Sequence, residues 1–421
     1  MSNVKLSHLS ETLKGSEIVR LGAVIKEKIK QGEKIYNYTI GDFDSAIFPI
    51  PAQLEKEIVS AYTHHFTTYP AAEGILELRE AVSAFIATRE DLQYGVNEIL
   101  IAAGGRPLIY ALFRAIVDKG DKVIYPAPSW NNNHYVHFNE GEHVVIETKP
   151  DKNFMITAAQ IKEHIKGATL LSICSPLNPT GTTFAKAELE AICDLVIAEN
   201  NSRPEGEKKL YLMYDQIYST LCFGDTVHHN PVSLRPEMKA YTIFIDGISK
   251  SFAATGVRVG WALGPAEVLE KMRSINSHVG AWAPMAEQKA VASYMGQTAD
   301  IDQYFSHFKA AINDRLQSIY LGFMQLKKEG FLVDAIAPQA AIYMTIQIDV
   351  ARKRTETGVL LEKQTDVTAY ILNEARLAVV PFYAFGASPD SSWYRLSVGT
   401  CKIEEISEML NMLRSALLKL T

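Results

Sequence analysis

Two kinds of apolar pattern alternate through the middle of the chain. Runs at 99–103, 122–126, 143–147, 169–174, 210–215, 242–247 and 259–264 are apolar along most of their length and rich in β-branched residues. That is the pattern of strands covered on both faces. Helical patterns lie between several of them. Over 186–200, Leu189, Ile192, Cys193, Val196 and Ile197 recur at i, i+3, i+4, i+7 and i+8 and so share one helix face. Strand–helix alternation of this kind predicts an α/β unit, a largely parallel sheet wrapped by helices.

The pattern changes after about residue 284. Phe305, Phe308, Ile312, Leu316, Ile319, Phe323 and Leu326 step by three and four, which predicts a long amphipathic helix over 303–328 ending before Gly330. A strand-like 343–349, a helical 365–376, an apolar 378–382, a strand-like 394–399 and a terminal helix over 403–419 follow and read as a smaller α+β unit. A further helix is expected at 16–30. The chain accordingly divides into an N-terminal segment, 1–45, contributing to the small unit; a large unit, 46–295; and a connecting helix with the C-terminal small unit, 296–421. Polar stretches at 200–209, 351–358 and 387–392 are expected to be exposed loops.

Composition narrows the class. The 421 residues are 47% hydrophobic and 21% charged, with 25 Gly and 17 Pro, which excludes disordered, collagen-like and low-complexity chains. Forty-two Lys and Arg against 48 Asp and Glu give a net charge of −6 with no basic block, a poor basis for binding nucleic acid. The apolar runs are too short to span a membrane, and the N-terminus lacks the apolar core of a signal peptide. Cys174, Cys193, Cys222 and Cys401 show no CxxC spacing. Together these features lead us to expect a reduced, cytoplasmic protein, in which the sequons at Asn37 and Asn200 carry little weight. His134 and His137 lie at i, i+3 without a carboxylate to complete a triad, so no metal is expected.

Candidate chemistry concentrates at the ends of the apolar runs. No GxG, GxxxxGK[ST], HExxH or GxSxG occurs. In GISKSFAATGVRVGW (247–261), Lys250 follows an apolar strand. It is either a solvated turn lysine or an amine that forms a Schiff base with an aldehyde cofactor, with Arg258 a fixed cation for that cofactor's phosphate. SPLNPTG (175–181) is either a plain turn or a ligand loop offering the Asn178 amide. In YDQIY (214–218), Asp215 either caps a loop or keeps a pyridine nitrogen protonated, with Tyr218 in reach of the same ring. AAGGRPLIYALF (102–113) sets two glycines before a helix start, where bare N–H groups make an anion site. Trp130, in APSW, is a core tryptophan or a plate for a heteroaromatic ring.

In the order Tyr69 to Gly74, Gly104-Gly105, Trp130, SPLNPTG, YDQIY, Ser249-Lys250 with Arg258 eight residues on, then YRLSVG, the chain resembles the class I/II aminotransferases. These are pyridoxal-phosphate enzymes of fold type I, and the likeness is greatest to their bacterial aspartate aminotransferase branch. It runs from about residue 16 to the end. The resemblance implies a large domain with a mostly parallel seven-stranded sheet flanked by helices, a smaller α+β domain, and a homodimer with shared active sites. It implies that Lys250 forms the internal aldimine and moves the substrate's α-proton, that Asp215 pairs with the pyridine nitrogen, and that Asn178 and Tyr218 bond the phenolic oxygen. Trp130 would stack on the ring. Gly105, Arg106, Ser249 and Arg258 would hold the phosphate, reached also by the partner subunit's Tyr69. Arg395 would grip the substrate α-carboxylate as a fork, with Asn178 and Trp130 beside the substrate and the segment around Ile40 and Gly41 closing over it.

The implied reaction is ping-pong transfer from an L-amino acid, aspartate first, to a 2-oxo acid, 2-oxoglutarate first. Arg106 stands where the aspartate branch carries a cation near the substrate side chain; it pairs with a distal carboxylate, helps the phosphate, or points to solvent. Tyr383 and Phe385 would shape an aromatic-tolerant pocket in the alternative of broader specificity, and a fold type I lyase or decarboxylase would share the cofactor residues. Three segments depart from the family pattern: GDFDSAIFP (41–49) lacks the usual GEPDF, Leu177 replaces an Asn, and QAAIY (339–343) has Ala where a Gly-Ala pair is usual.

Overall fold

Seven of the apolar runs form one sheet in the computed structural model, which describes residues 5–13, 15 and 17–421. They are β1 (Ile99–Ala102), β2 (Lys122–Ala127), β3 (Glu142–Glu147), β4 (Ala168–Cys174), β5 (Tyr211–Asp215), β6 (Thr242–Gly247) and β7 (Gly260–Leu263). Their spatial order is β1-β7-β6-β5-β4-β2-β3, with β7 antiparallel to both neighbours and every other pair parallel. Successive residues of one strand serve opposite cores. Ile101, Ile124, Leu171, Leu212, Phe244 and Trp261 join the cluster on one face; Leu100, Val123, Leu170, Met213, Ile243 and Ala262 join the cluster on the other. Each of the larger of these side chains contributes about 1.5–3 kcal/mol on burial, which is why the runs are apolar without alternation. The edge strand β3 is the exception to double cover: of its six residues only Ile146 is buried.

The Thr298–Lys328 helix ties this unit to a second core. It begins before the expected residue 303 because Ile301 is already buried. Ile301 and Phe305 belong to the first core, whereas Phe308 through Leu326 belong to the second. The second core surrounds an antiparallel sheet of β8 (Val333–Ala335), β9 (Tyr343–Ile348), β10 (Val380–Pro381) and β11 (Trp393–Ser397) in the order β10-β11-β9-β8.

The expected 378–382 strand is broken up. Leu377–Ala378 pairs in parallel with Tyr36–Asn37, Val380–Pro381 pairs with β11, and Phe382–Phe385 is a 3-10 turn. The N-terminal segment is thereby stitched to the smaller sheet, and Ile25 of the Glu17–Lys30 helix packs near Leu372 and Ala378. Of the segment 1–45, residues 1–4, Lys14 and Ser16, the expected first residue of that helix, lie outside the described residues. The loop expected at 200–209 starts later than its polarity suggests. Asn200 is 1% exposed in the last turn of the Lys186–Ser202 helix, its amide bonding both backbone groups of Leu210. Among the described residues no helix is long and apolar enough to cross a membrane.

Candidate active site

A cavity of about 730 Å³ opens beyond the carboxyl ends of β4, β5 and β6, next to residues from both cores. Cys174 ends β4, Asp215 ends β5, and β6 passes into a single turn, Ile248–Ser251, that carries Lys250. Glycines let the backbones behind this turn touch. A Cβ on Gly260 would stand 2.7 Å from the Gly104 carbonyl carbon, and one on Gly247 would stand 2.7 Å from the Gly260 Cα. The start of the Gly105–Ile116 helix is brought against the Lys250 turn by this contact.

That end of the cavity is electropositive. Gly105 opens the helix, so its first-turn N–H groups are free for an anion. Gly104, at φ +83°, clears the space taken by the Arg258 guanidinium, into which a Cβ would run. Arg258 is braced by Nη1 to the Thr255 carbonyl and Nη2 to the Ala103 carbonyl, both at 2.7 Å. Ser249 is buried beside it and lines the same wall.

Lys250 Nζ donates to the Gly41 carbonyl at 2.6 Å and lies over the rings of Phe43 and Tyr218. Burial brings its amine down to about 8; Asp42 opposes this, and the guanidiniums of Arg395, Arg106 and Arg258 add to it. The Asp215 carboxylate accepts one bond, from the Ile217 N–H at 3.1 Å, and burial pushes it up to about 6. The hydroxyls of Tyr218 and Tyr343 are 2.6 Å apart.

Arg395 is 2% exposed, on β11. Its Nη2 donates to the Thr39 carbonyl at 2.7 Å and its Nη1 to Asn178 Oδ1 at 3.1 Å, while Nε has no partner. The guanidinium packs on the rings of Tyr343, Phe385 and Trp130. Arg106 is exposed at the mouth, its guanidinium 5.6 Å from the Trp130 ring. Neither arginine faces a carboxylate among the described residues.

Lys250, Asp215, Tyr218, Asn178, Ser249, Gly105, Arg106, Arg258, Trp130, Ile40, Gly41 and Arg395 therefore line one cavity although they come from widely separated segments. Tyr69 does not join them: it is 84% exposed and meets Trp282 edge-to-face at 5.3 Å, away from the cavity. Nor do two residues expected to shape a pocket. Phe385 is buried behind Trp130 and Arg395, because its 3-10 turn directs the ring into a small aromatic cluster, and Tyr383 lies outside the cavity wall. Sequence reasoning missed Tyr343, which looks like any apolar strand residue, and the rim formed by Ile18, Val19 and Gly22 of the Glu17–Lys30 helix. No spacing along the chain signals either.

Residues 33–413 match the family model for aminotransferase class I and II. The chain is 30% identical over 411 residues to the aspartate aminotransferase of Bacillus sp. (strain YM-2), covering 96% of this chain and 98% of that protein. Its structure is similar to the aspartate aminotransferase of Rhizobium meliloti, with a TM-score of 0.89, 26% identity and full coverage of both chains. It is also similar to that of Thermus thermophilus with maleate, with a TM-score of 0.86, 27% identity and coverage of 98% and 100%.

Proposed function

Because the chain belongs to the class I and II aminotransferases, enzymes that depend on pyridoxal 5′-phosphate, we propose that it transfers the amino group of aspartate to 2-oxoglutarate by a ping-pong route. We assign the reaction to a homodimer in which the partner subunit's Tyr69 completes the phosphate site; its counterpart in this chain lies exposed and apart from its own cavity. Residues 46–295 and 296–421, with 1–45 joined to the latter, are the proposed large and small domains.

The residues present fit the cofactor. Asp215 is a half-buried carboxylate on the cavity wall that accepts a single N–H and meets no cation among the described residues, which suits a protonated ring nitrogen. The space kept by Gly104 holds Arg258 next to the bare N–H groups of Gly105, which suits a phosphate. Lys250 would tether the cofactor, Asn178 and Tyr218 would bond its phenolic oxygen, Trp130 would cover its ring, and Gly105, Ser249 and Arg258 would surround its phosphate, which leaves Arg106 for the substrate. When bound, the cofactor supplies an electrophilic carbon and a ring that accepts the electron pair left when the α-proton departs.

The chain's own residues do the rest. Lys250, brought down to about 8 from 10.5, has a far larger uncharged fraction near neutrality than an ordinary lysine, and it holds the transferred proton at Nζ. Arg395 is fixed on two sides, so its orientation toward a carboxylate is set before substrate arrives. The Ile40–Asp42 segment lies against Lys250 and fixes its amine through the Gly41 carbonyl.

One observation carries the choice of aspartate: two guanidiniums, Arg395 and Arg106, share the cavity without a carboxylate partner, as a substrate with two carboxylates requires. The Thermus relative's maleate is such a dicarboxylate. A second reading, aromatic or broad donors, draws support from Ile18, Val19 and Ile109, which make part of the wall apolar.

The absorbance spectrum of the cofactor-loaded protein tests both. Loss of the yellow band on adding aspartate without acceptor, with oxaloacetate released, is the expected result. A band that responds to phenylalanine but not to aspartate moves the specificity. Absence of any band after adding pyridoxal phosphate refutes the assignment of the site.

A further inference from the structure

Directly behind Asp215 lies a polar cluster that the reaction as described does not use. Gln216, the next residue, is 0% exposed and fixed to β6 by its N–H bond to the Ile245 carbonyl at 3.0 Å. Its side-chain N–H₂ faces two carboxyls. It donates to Asp246 Oδ2 at 3.3 Å and to Glu90 Oε2 in a short bond. Its Oε1 is 3.2 Å from His228 Nε2, so that ring donates there. Asp246, 4% exposed, also accepts the Gly247 N–H at 2.7 Å. One amide group thus serves two acids, Asp246 buried and Glu90 half-buried.

Neither acid meets a cation among the described residues. Arg89, adjacent to Glu90, is committed to Asp302 at 2.7 Å. His228 and His229 come from the loop across the cluster, and His228 is kept uncharged by burial, its Nδ1 buried without a partner. Asp215 faces Asp246 from β5 and adds like charge. Glu90 and His228 also line a second cavity of about 920 Å³, which shares no lining residue with the first and whose wall includes Asp91, Asp302 and Lys309. Burial raises Glu90 out of the usual carboxylate range; burial, Glu90 and Asp215 raise Asp246 further. Two carboxylates so close together without a cation do not ionise at the same pH: the second gives up its proton only at a higher one.

We propose that Glu90, Gln216 and Asp246 are a positioning unit for Asp215: two carboxyls bridged by one amide share a single proton and exchange it with solvent through the second cavity, so the negative charge behind the cofactor's ring site follows solution pH. Losing the shared proton adds a charge behind Asp215 and tightens its hold on a protonated ring nitrogen. The proposal rests on the assignment of Asp215 to that nitrogen.

The test is the cofactor's dissociation constant, measured by equilibrium dialysis from mildly acid to mildly alkaline pH. Wild type is expected to show an inflection in the neutral range, with cofactor held on the order of tenfold tighter above it. Glu90→Gln and Asp246→Asn each remove the mutual repulsion, so the remaining acid ionises earlier and the inflection moves to lower pH by about one unit or vanishes. Infrared difference spectra give a second readout, a protonated-carboxyl band that titrates with the same midpoint and is altered in both variants. Folded variants whose inflection stays at the wild-type pH overturn the proposal, and so does a wild type without the band, even if neither variant folds. Asp215→Asn separates the two claims. Weakened, pH-independent binding with the band retained supports the unit and its action through Asp215. Wild-type affinity in Asp215→Asn, with the band retained, overturns the Asp215 assignment and with it the positioning role, while leaving the shared proton itself demonstrated.

Discussion

Arg395 Nη1 donates to the side-chain oxygen of Asn178 at 3.1 Å, joining the guanidinium proposed for the substrate carboxylate to the amide proposed for the cofactor. The bond spends the Asn178 oxygen and leaves its N–H₂ for an oxygen acceptor. Substrate and cofactor would therefore be read by one connected pair.

Arg395→Lys keeps a charge but, with three donors on one nitrogen, cannot give a carboxylate two parallel bonds while also holding Thr39 and Asn178. We expect KM for aspartate to rise by roughly tenfold to a hundredfold, the loss of one or two charge-assisted bonds, with a smaller change in kcat. Steady-state kinetics with an unchanged KM would remove Arg395 from substrate binding.

Lys250→Met should abolish turnover, and undiminished activity would refute its role. It should also stabilise the apoprotein. The Lys250 amine is held down to about 8 from 10.5, so between those values the unfolded chain binds more protons than the folded one. Wild-type stability on this account rises from pH 8 upward, and below pH 8 the full cost, about 3 kcal/mol, remains. Denaturant titrations of the apoprotein should find the variant more stable at neutral pH and without that rise.

Arg106→Gln discriminates between the roles open to Arg106. If it meets the distal carboxylate, KM for aspartate should rise on the order of tenfold while KM for phenylalanine stays level. Equal losses for both donors, with weaker cofactor binding, would place it on the phosphate instead.

Tyr343→Phe removes the 2.6 Å bond to Tyr218 and nothing else of comparable size. Stability should fall by about 1 kcal/mol, and kcat should drop several-fold because Tyr218 is no longer held from behind. A variant with wild-type kcat would make the pair structural only.

Much of the fold was legible because burial imposes itself on local composition. Leu170 and Leu171 enter opposite cores, so β4 had to be apolar throughout, and Phe305 to Leu326 had to recur at helical spacing. Direction leaves no such trace: nothing in the four residues of β7 says that it runs against its neighbours. Nor does an edge, and β3 reads like a covered strand although it is largely exposed. In the site, Lys250, Asp215 and Asn178 stood out because polar groups end apolar runs there. Tyr343 and the Glu90–Asp246 pair did not, since their meaning lies in contacts between distant segments. Asn200 looked like loop because its polar side chain is satisfied ten residues away, by Leu210.

The bond from Arg395 to the Thr39 carbonyl spans 356 residues of chain. During synthesis, Thr39 and Lys250 leave the ribosome long before β11 does, so the central sheet can form while the wall that β11 provides is still missing. The nascent protein passes through a stage in which the lysine turn is built but the guanidinium that closes the cavity has not been made. Every side chain of this chain proposed for the cofactor precedes residue 260, so the cofactor's site can be complete before the guanidinium proposed for the substrate exists.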